Sequence, residues 1–494
     1  MRPLVAIARP FIVGALAGML AGCAMTPPKP PAVVHETPAA SSSASEPPTA
    51  APSDLYITEP PGGIVRARWW RWVQGRLLYP LQEHLNVARV ARTLTGHPRP
   101  AMDMVEGYVA DSSFFTNRDI AALTPDEVRW GAAQPSDAPT PPLLFEGLRS
   151  SGRAPGFFVE DATGDHYLCI VDFPAYPELT TGAEVVTAKL LYALGYNVLS
   201  AEIYQLAPAD VQTGSRVEPD LPDHAPGTQE DVERLLAPRV DARGRVRVAA
   251  IKLPDESTVV GSFSFQRYQH YAALRALRLA DGWVHNIDAG ELQTLMTWDG
   301  YLARGYLVDF GSSLGSNVHR AGPKEAHDGW GSASLWSFAT LGLRGLPYDP
   351  DQPLISPAVG RLTARYDPER WTSDAPHIAF DQMTAEDARW MARRISALSS
   401  VQLAAAVAAG QYQHPEDAAA LIEILRGRQR IIRRRYLGAE EPPPAAPPVL
   451  PAAGAPGAPA PAVVTAPSVQ PSANAREAGA SPEPSVDQPA PPQP

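Results

Sequence analysis

The chain has 494 residues, a formal net charge of -11 and 45% apolar residues, and 54 of its residues are proline. Average proteins contain about 5% proline, and 17 of these prolines lie between Pro442 and Pro494, in a segment without a periodic apolar pattern. The composition excludes collagen, a coiled coil and a multi-span membrane protein. The acidic balance argues against a general nucleic-acid binder, which needs a basic surface to replace counterions along the phosphates.

The first 23 residues have the pattern of a bacterial lipoprotein signal peptide. Arg2 and Arg9 precede an apolar run at 11–21, and Leu20-Ala21-Gly22 leads to Cys23. The run is shorter than the ~20 residues of a membrane-spanning helix. We therefore expect residues 1–22 to be removed and a lipid on Cys23 to anchor the protein to a membrane. An ordinary secretory signal with a chance cysteine is the alternative.

The next segments are predicted to connect this anchor to a folded body. Ala24 rather than Asp follows Cys23, which favours the outer membrane of a bacterial cell envelope, with the protein facing the periplasm. Residues 23–61 are a predicted tether rich in Pro, Ala and Ser, and residues 62–142 are a predicted N-terminal helical extension. The Trp- and Arg-rich stretch at 64–73 indicates either an interfacial helix or a helix whose tryptophans pack on the body.

A strand-rich half is predicted at 143–264. Glycines recur along 143–160, at Gly147, Gly152 and Gly156, and residues 161–165 have the composition of a hairpin turn. Apolar residues recur at helical spacing over 182–194, with Glu184 in the first turn. Residues 198–206 and 246–253 are predicted as further strands. Cys169 lies in an apolar strand, and we expect it to be a small core residue.

A helix-rich half follows at 265–438, with predicted helices at 268–284 and 384–436. The fold class is therefore α+β, with a strand-rich part before a helical part. Six arginines lie between Arg426 and Arg435 at the end of the last helix. They indicate either a solvated helix face or contact with anionic headgroups. Residues 439–494 are a predicted disordered tail rich in Pro and Ala.

Two short motifs between these halves are candidates for chemistry. Residues 283–288 (Trp-Val-His-Asn-Ile-Asp) close a helix, and residues 306–311 (Tyr-Leu-Val-Asp-Phe-Gly) close a strand. In phosphoryl transfer one carboxylate orients the attacking hydroxyl and a second holds Mg²⁺ on the phosphates. Asp288 and Asp309 are the candidates for these roles. Either motif on its own is a weak signal, because it can arise by chance. Their order after a glycine loop, a hairpin and a Glu-bearing helix points to this chemistry.

The body resembles a protein-kinase-like core, and more closely a family of largely uncharacterised bacterial envelope proteins with that core. The similarity extends from about Met104 to Leu437. The segments that carry it are 111–118, 156–161 with Gly164, 181–198 and 308–316. The resemblance implies a bilobal fold with a small strand-rich N-lobe, a nucleotide cleft and a helical C-lobe.

The resemblance also implies a role for each candidate residue. Gly152 and Gly156 would lie over the phosphates of a nucleotide bound with Mg²⁺, and Glu184 would be the helix carboxylate. Asp288 would be the catalytic carboxylate and Asp309 a metal ligand.

The sequence departs from the kinase-like pattern at two positions. Ile170 stands where such kinases place the phosphate-binding lysine, and an uncharged side chain cannot neutralise phosphate. Gln293 stands where the second metal ligand is usually Asn, so the amide oxygen is kept but extended by one methylene.

Three other polar side chains have a functional and a plainer interpretation. Lys189 or Lys252 could supply the missing charge, but solvated helix and strand-edge lysines are the plainer interpretation. His285 is either a partner for Asp309 or a hydrogen-bonded core residue.

We therefore expect a lipid-anchored envelope protein with a degenerate kinase-like domain that is a non-catalytic pseudokinase. An envelope protein, a polysaccharide or a metabolite is its expected partner, besides the membrane, and nucleic acid is not. An active, atypical Mg²⁺-dependent phosphotransferase using Asp288 and Asp309 is one alternative, although ATP is scarce outside the cytoplasm. A structural envelope lipoprotein is another.

Overall fold

The structure is a computed structural model that describes residues 99–150, 152–213, 224–255, 258–316, 354–371, 373 and 378–438. The predicted signal peptide, Cys23, the tether, the Trp- and Arg-rich stretch and the tail at 439–494 lie outside these residues. The chain forms two compact units, Met1–Pro448 and Val449–Pro494, and every described residue belongs to the first. Within the described part, no helix has the length and apolar character needed to cross a membrane.

The described residues form a mixed α/β structure. The strands are β1 (Met104–Val105), β2 (Tyr108–Val109), β3 (Leu143–Arg149), β4 (Gly156–Glu160), β5 (His166–Val171), β6 (Ala201–Leu206), β7 (Val211–Thr213), β8 (His224–Ala225), β9 (Val246–Lys252), β10 (Val259–Gly261), β11 (Thr294–Trp298) and β12 (Ala303–Leu307). The helices are α1 (Pro125–Trp130), α2 (Leu179–Ala193), α3 (Gln229–Leu236), α4 (Ala272–Val284), α5 (Ile378–Asp381), α6 (Ala385–Ala397), α7 (Ser400–Ala408) and α8 (Pro415–Leu437).

The main sheet has the strand order β6-β9-β5-β4-β3-β7, with β8 also paired to β3. The pairs along this order are antiparallel except that β3 and β7 are parallel. Alternate residues of β3, β4 and β5 form one core with Val232 and Leu236 of α3. The predicted hairpin is present because the Asp161 carboxylate accepts the backbone N–H groups of Thr163 and Asp165 and so closes the turn. Cys169 is fully buried in this core, as predicted.

Helix α2 is buried around nearly its whole circumference because it packs between the main sheet and helices α1 and α7. It begins at Leu179, earlier than the sequence predicted. The Asp172 carboxylate accepts the backbone N–H groups of Thr180 and Thr181, at 2.8 and 2.9 Å, and so satisfies amides that have no partner inside the helix. Glu184 is therefore in the second turn rather than the first.

A second sheet has the order β10-β11-β12, and its strands β11 and β12 lie in the region predicted to be helix-rich. It is joined to the segment at 111–118, because the Gly305 N–H donates to the Ser113 carbonyl oxygen at 2.8 Å. The Leu307 N–H donates to the Asn197 carbonyl oxygen at 2.9 Å. These bonds fix the end of β12, which leads directly to Asp309.

Helices α4, α6 and α8 pack on one another in the remaining part of the structure. The solvated interpretation of the arginines in α8 is wrong for two of them. Arg428 is fully buried and donates to the carbonyl oxygens of Thr363 and Gly282, and buried Arg426 pairs with Glu423 at 2.8 Å. A buried guanidinium that bonds main-chain carbonyls holds elements together rather than facing solvent.

Candidate functional site

The first motif follows the end of α4. His285 takes a left-handed conformation, with φ of 53°, and so turns the chain out of the helix. The Asn286 side chain then donates to the Asp281 carboxylate at 3.0 Å, and the Asn286 N–H donates to the Asp281 carbonyl oxygen at 2.8 Å. This double contact fixes the connection that leads to Asp288.

Burial dominates the chemistry of Asp281. The residue is 1% exposed, and desolvation raises the pKa of its carboxyl to about 8, although the hydrogen bond from Asn286 lowers it. A carboxyl with this pKa is mostly protonated at neutral pH. The first motif is thus held by a neutral acid–amide pair.

The second motif follows β12 and is bonded to the first through the backbone. The Val308 N–H donates to the Gln293 carbonyl oxygen at 3.0 Å, and the Leu314 N–H donates to the Val284 carbonyl oxygen at 2.9 Å. Asp309 itself has a φ of 65°, a left-handed conformation that is uncommon for residues other than glycine and more frequent for Asp than for most of them.

The two candidate aspartates both pair with arginines from one short segment. Arg149, the last residue of β3, lies 2.6 Å from Asp309, and Arg153, in the connection to β4, lies 3.1 Å from Asp288. The side chains of all four residues are between 6% and 14% exposed. Because the two arginines are four residues apart, the structure brings the two aspartates to the same loop.

Glu184 joins these four residues from helix α2. Burial, helped by the charge of Asp309, raises the pKa of its carboxyl to about 8, while Arg149 and the backbone N–H groups of Phe310 and Gly311 lower it. A Cβ atom placed on Gly311 would lie 3.6 Å from Glu184 Oε2 and 3.7 Å from the Cβ of Ala154. The helix, the loop and the second motif therefore meet at Gly311.

We call Arg149, Arg153, Glu184, Asp288 and Asp309 the acid–arginine cluster. With Glu184 protonated, the two positive charges of the arginines balance the two negative charges of the aspartates. The sequence predicted the three acids, but it did not identify either arginine as a site residue. The available signal was the two basic residues flanking Gly152 in an otherwise small and polar loop.

The predicted glycines have structural roles. Gly152 has a φ of 84°, and a side chain there would overlap the guanidinium of Arg149. Gly156 lies within β4 opposite Ile170, and a Cβ atom there would lie 2.8 Å from the Cys169 carbonyl oxygen. These contacts account for both glycines without a phosphate, and their role over phosphates stays a prediction.

Neither Lys189 nor Lys252 supplies the charge that is missing at Ile170. Ile170 is fully buried in the main sheet. The solvated interpretation of Lys189 is wrong, because the residue is 1% exposed and bonds Glu202 and the Ala201 carbonyl oxygen. Lys252 pairs with Asp165 at 2.7 Å and with Asp137 at 3.5 Å. Arg149 and Arg153 provide the positive charge beside the aspartates instead.

The remaining candidates are close to the cluster in the chain. Gln293 ends a short 3-10 turn, and its backbone carbonyl supports Val308, next to Asp309. Its role as a metal ligand stays a prediction. His285 is 3% exposed, and its interaction with Asp309 also stays a prediction.

The residues present do not fit a divalent cation in this arrangement. Within the described part of the chain, no group of three or more His, Cys, Asp and Glu side chains could hold a metal ion. The guanidinium of Arg149 lies against Asp309, where a cation would have to bind. A magnesium ion would therefore have to displace an existing ion pair.

Comparisons with known proteins give one structural likeness. No family model and no curated protein matches the chain. Among solved structures, the chain is similar to the one described as the crystal structure of the Golgi casein kinase, with 10% sequence identity over 73% of this chain and 90% of that chain. The TM-score is 0.23, which is too low to assign a fold.

Proposed function

We propose that the protein is a lipid-anchored envelope protein whose kinase-like domain is non-catalytic and binds a partner or ligand. The observation that carries this proposal is the pairing of both candidate aspartates with arginines of one loop. In a phosphotransferase these carboxylates must be available to a metal ion and to the attacking hydroxyl. Here each one is already neutralised.

The ion pairs favour a structural role for the two motifs. Removing a charge from a largely buried ion pair leaves its partner uncompensated, at a cost of about 3–5 kcal/mol. A metal ion that displaced Arg149 from Asp309 would have to offset a cost of this kind. The apolar Ile170 offers no positive charge that could hold the phosphates of a nucleotide from the sheet.

A thermal-unfolding series on the mature chain tests this proposal. ATP, GTP and inorganic pyrophosphate are each added with and without Mg²⁺ or Mn²⁺. We expect no stabilisation by any of these, whereas a ligand at 100 times its dissociation constant would add roughly 2.7 kcal/mol. Metal-dependent stabilisation that is absent in Asp309→Asn would contradict the proposal. Asn is the appropriate replacement because it tolerates the left-handed backbone at this position.

The alternative is an active Mg²⁺-dependent phosphotransferase that uses Asp288 and Asp309. The approach of Glu184 to Asp309, beside two arginines able to bind phosphate, favours it. In that case Arg149 and Arg153 would turn from the aspartates to the phosphates when the ligand binds. Phosphate release or transfer from a nucleotide, lost in Asp288→Asn, would support this alternative over the non-catalytic domain.

The anchor is proposed from the sequence at 1–23. Cys23→Ser should move the protein from the membrane fraction to the soluble fraction of the envelope, and Cys169→Ser is the matched control because Cys169 is a buried core residue. Unchanged fractionation of Cys23→Ser would reject lipid anchoring. An envelope protein or polysaccharide is the proposed partner. A structural lipoprotein, in which the Pro-rich tail acts as a spacer, remains compatible with the same anchor.

A further inference from the structure

A second charged group, the largely buried Arg247, lies at the start of helix α2. Arg247 of β9 donates from Nε to the Thr181 hydroxyl at 2.9 Å and from Nη1 to the Gln411 carbonyl oxygen at 2.9 Å. Its Nη2 donates to the Gly410 carbonyl oxygen. One guanidinium thus joins the main sheet, helix α2 and the connection between α7 and α8.

The connection between α7 and α8 makes two more contacts with this end of the helix. The Gln413 N–H donates to the carboxylate of buried Glu178 at 3.0 Å. A Cβ atom on Gly182 would lie 2.6 Å from the Tyr412 hydroxyl oxygen, so the helix accepts the Tyr412 ring only because residue 182 is glycine. We call residues 410–413 the clamp segment.

The acidic groups around Arg247 are all accounted for. The Asp172 carboxylate lies 3.9 Å from Arg247 and accepts the Thr181 hydroxyl at 2.7 Å. Burial lowers the pKa of the Arg247 guanidinium, and the charges of Asp172 and Glu178 partly offset this effect. The groups around Arg247 therefore form a satisfied, largely buried hydrogen-bond network, and such a network holds the elements that contribute to it in one arrangement.

The other face of the same helix contacts the second motif. The Thr187 and Ser313 hydroxyl oxygens lie 2.6 Å apart, and a Cβ atom on Gly311 would lie 3.0 Å from the Thr180 methyl carbon. Thr180, Glu184 and Thr187 are spaced by four and three residues, which places them on one face of the helix. The helix is held between the clamp segment and the Asp-Phe-Gly turn.

We propose that Arg247 is a positioning residue for Glu184: by bonding α2 to the clamp segment, it sets the distance between the Glu184 carboxyl and the turn at Asp309. Any effect of this positioning on ligand binding rests on the proposed function. The positioning itself is independent of the proposed function, because it concerns the protein without a ligand.

Hydrogen exchange on the full chain tests this inference. The backbone amides of Phe310 and Gly311 face Glu184, so their exchange reports whether the carboxyl stays in place. In Arg247→Gln we expect exchange of the peptide covering 308–316 to rise at least tenfold. Arg247→Lys keeps the charge and part of the hydrogen bonding, so its exchange at 308–316 should lie between that of the wild type and that of Arg247→Gln. If Arg247→Gln does not fold, Arg247→Lys still tests the inference.

Arg245→Gln is the matched control. Arg245 is exposed, lies two residues away and donates to the Gln205 carbonyl oxygen at 3.3 Å. Its loss should leave exchange at 308–316 unchanged. If Arg247→Gln raises exchange only at 178–186 and 409–414, the residue is a local support and the inference is wrong. Failure of the wild type to bind any partner would overturn the proposed function without affecting this result.

Discussion

Two buried arginine–aspartate pairs in this protein show different surroundings. Arg275 of α4 lies 3.6 Å from Asp387 of α6, and both side chains are 1% exposed. Arg149 lies 2.6 Å from Asp309, with exposures of 6% and 13%. The first pair joins two helices, whereas the second joins a strand end to a turn with a left-handed backbone. Similar ion pairs therefore serve packing in one region and the candidate site in the other.

The environment of Arg275 explains why its pair is structural. Its guanidinium also donates to the carbonyl oxygens of Gln269 and Arg99, at 2.9 and 3.0 Å. Asp387 caps its own helix by accepting the Thr384 N–H at 2.8 Å. The Arg275 pair thus joins α4 and α6 to each other and to the chain at Arg99 and Gln269. The Arg149 pair instead joins the end of β3 to the Asp-Phe-Gly turn that follows β12.

The largest effect is expected for Arg275→Met. The substitution keeps the volume of the side chain but leaves the Asp387 carboxylate buried without its cation, so the free energy of unfolding should fall by about 3–5 kcal/mol. Urea denaturation measures this loss. Arg389→Met is the control, because Arg389 is an exposed residue of α6. A loss below about 1 kcal/mol would show that the pair contributes no more than a surface ion pair.

Arg149→Met should cost less, about 3 kcal/mol, at the lower end of the range for a broken buried pair, because water reaches this pair more easily. It should also produce a new response: Mn²⁺ or Mg²⁺ should stabilise the variant, since Asp309 and Glu184 lose the guanidinium that faces them. The wild type and Arg149→Met are compared by thermal unfolding with and without each metal, and Arg243→Met is the exposed control. No metal response in the variant would mean that Arg149 does not exclude a cation.

A pH-dependent effect is expected at Asp281. Its folded pKa of about 8 exceeds the value of 3.8 for a free carboxyl, so the folded state keeps a proton that the unfolded state has lost. Its contribution to stability is full below pH 3.8 and is lost as the pH rises towards 8, by at most about 1.4 kcal/mol per pH unit.

Asp281→Asn removes this titration while keeping the polar shape. The difference between the wild-type and variant stability curves, measured by urea unfolding from pH 4 to pH 9, isolates the contribution from other titrating groups. Tyr196 is the titratable neighbour whose pKa is raised, first by burial and then by the charge of Asp281. Parallel curves for the two proteins would show that Asp281 is ionised throughout.

The sequence predicted much of the scaffold because its signals are local. The hairpin turn at 161–165, the apolar helix at 182–194 and the order of the two motifs each depend on residues close together in the chain. Three acids of the cluster followed from that order and from the resemblance.

The arginines could not be identified in the same way. Arg149 and Asp309 are 160 positions apart, and only the folded chain shows that the loop returns to the second motif. Lys189 was misjudged for a related reason: a lysine in an apolar helix looks exposed unless its partner is known, and Glu202 lies in a separate strand. Burial of charge depends on tertiary pairing, which spacing along the chain does not specify.

A double-mutant cycle on Arg149 and Asp309 tests whether this ion pair closes the candidate site. Unfolding free energies are measured for the wild type, Arg149→Met, Asp309→Asn and the double variant. We expect the two losses not to be additive, with a coupling energy of at least about 1.5 kcal/mol, because each residue mainly compensates the charge of the other. Additivity within about 0.5 kcal/mol would mean that Arg149 does not neutralise Asp309, and would contradict the non-catalytic domain.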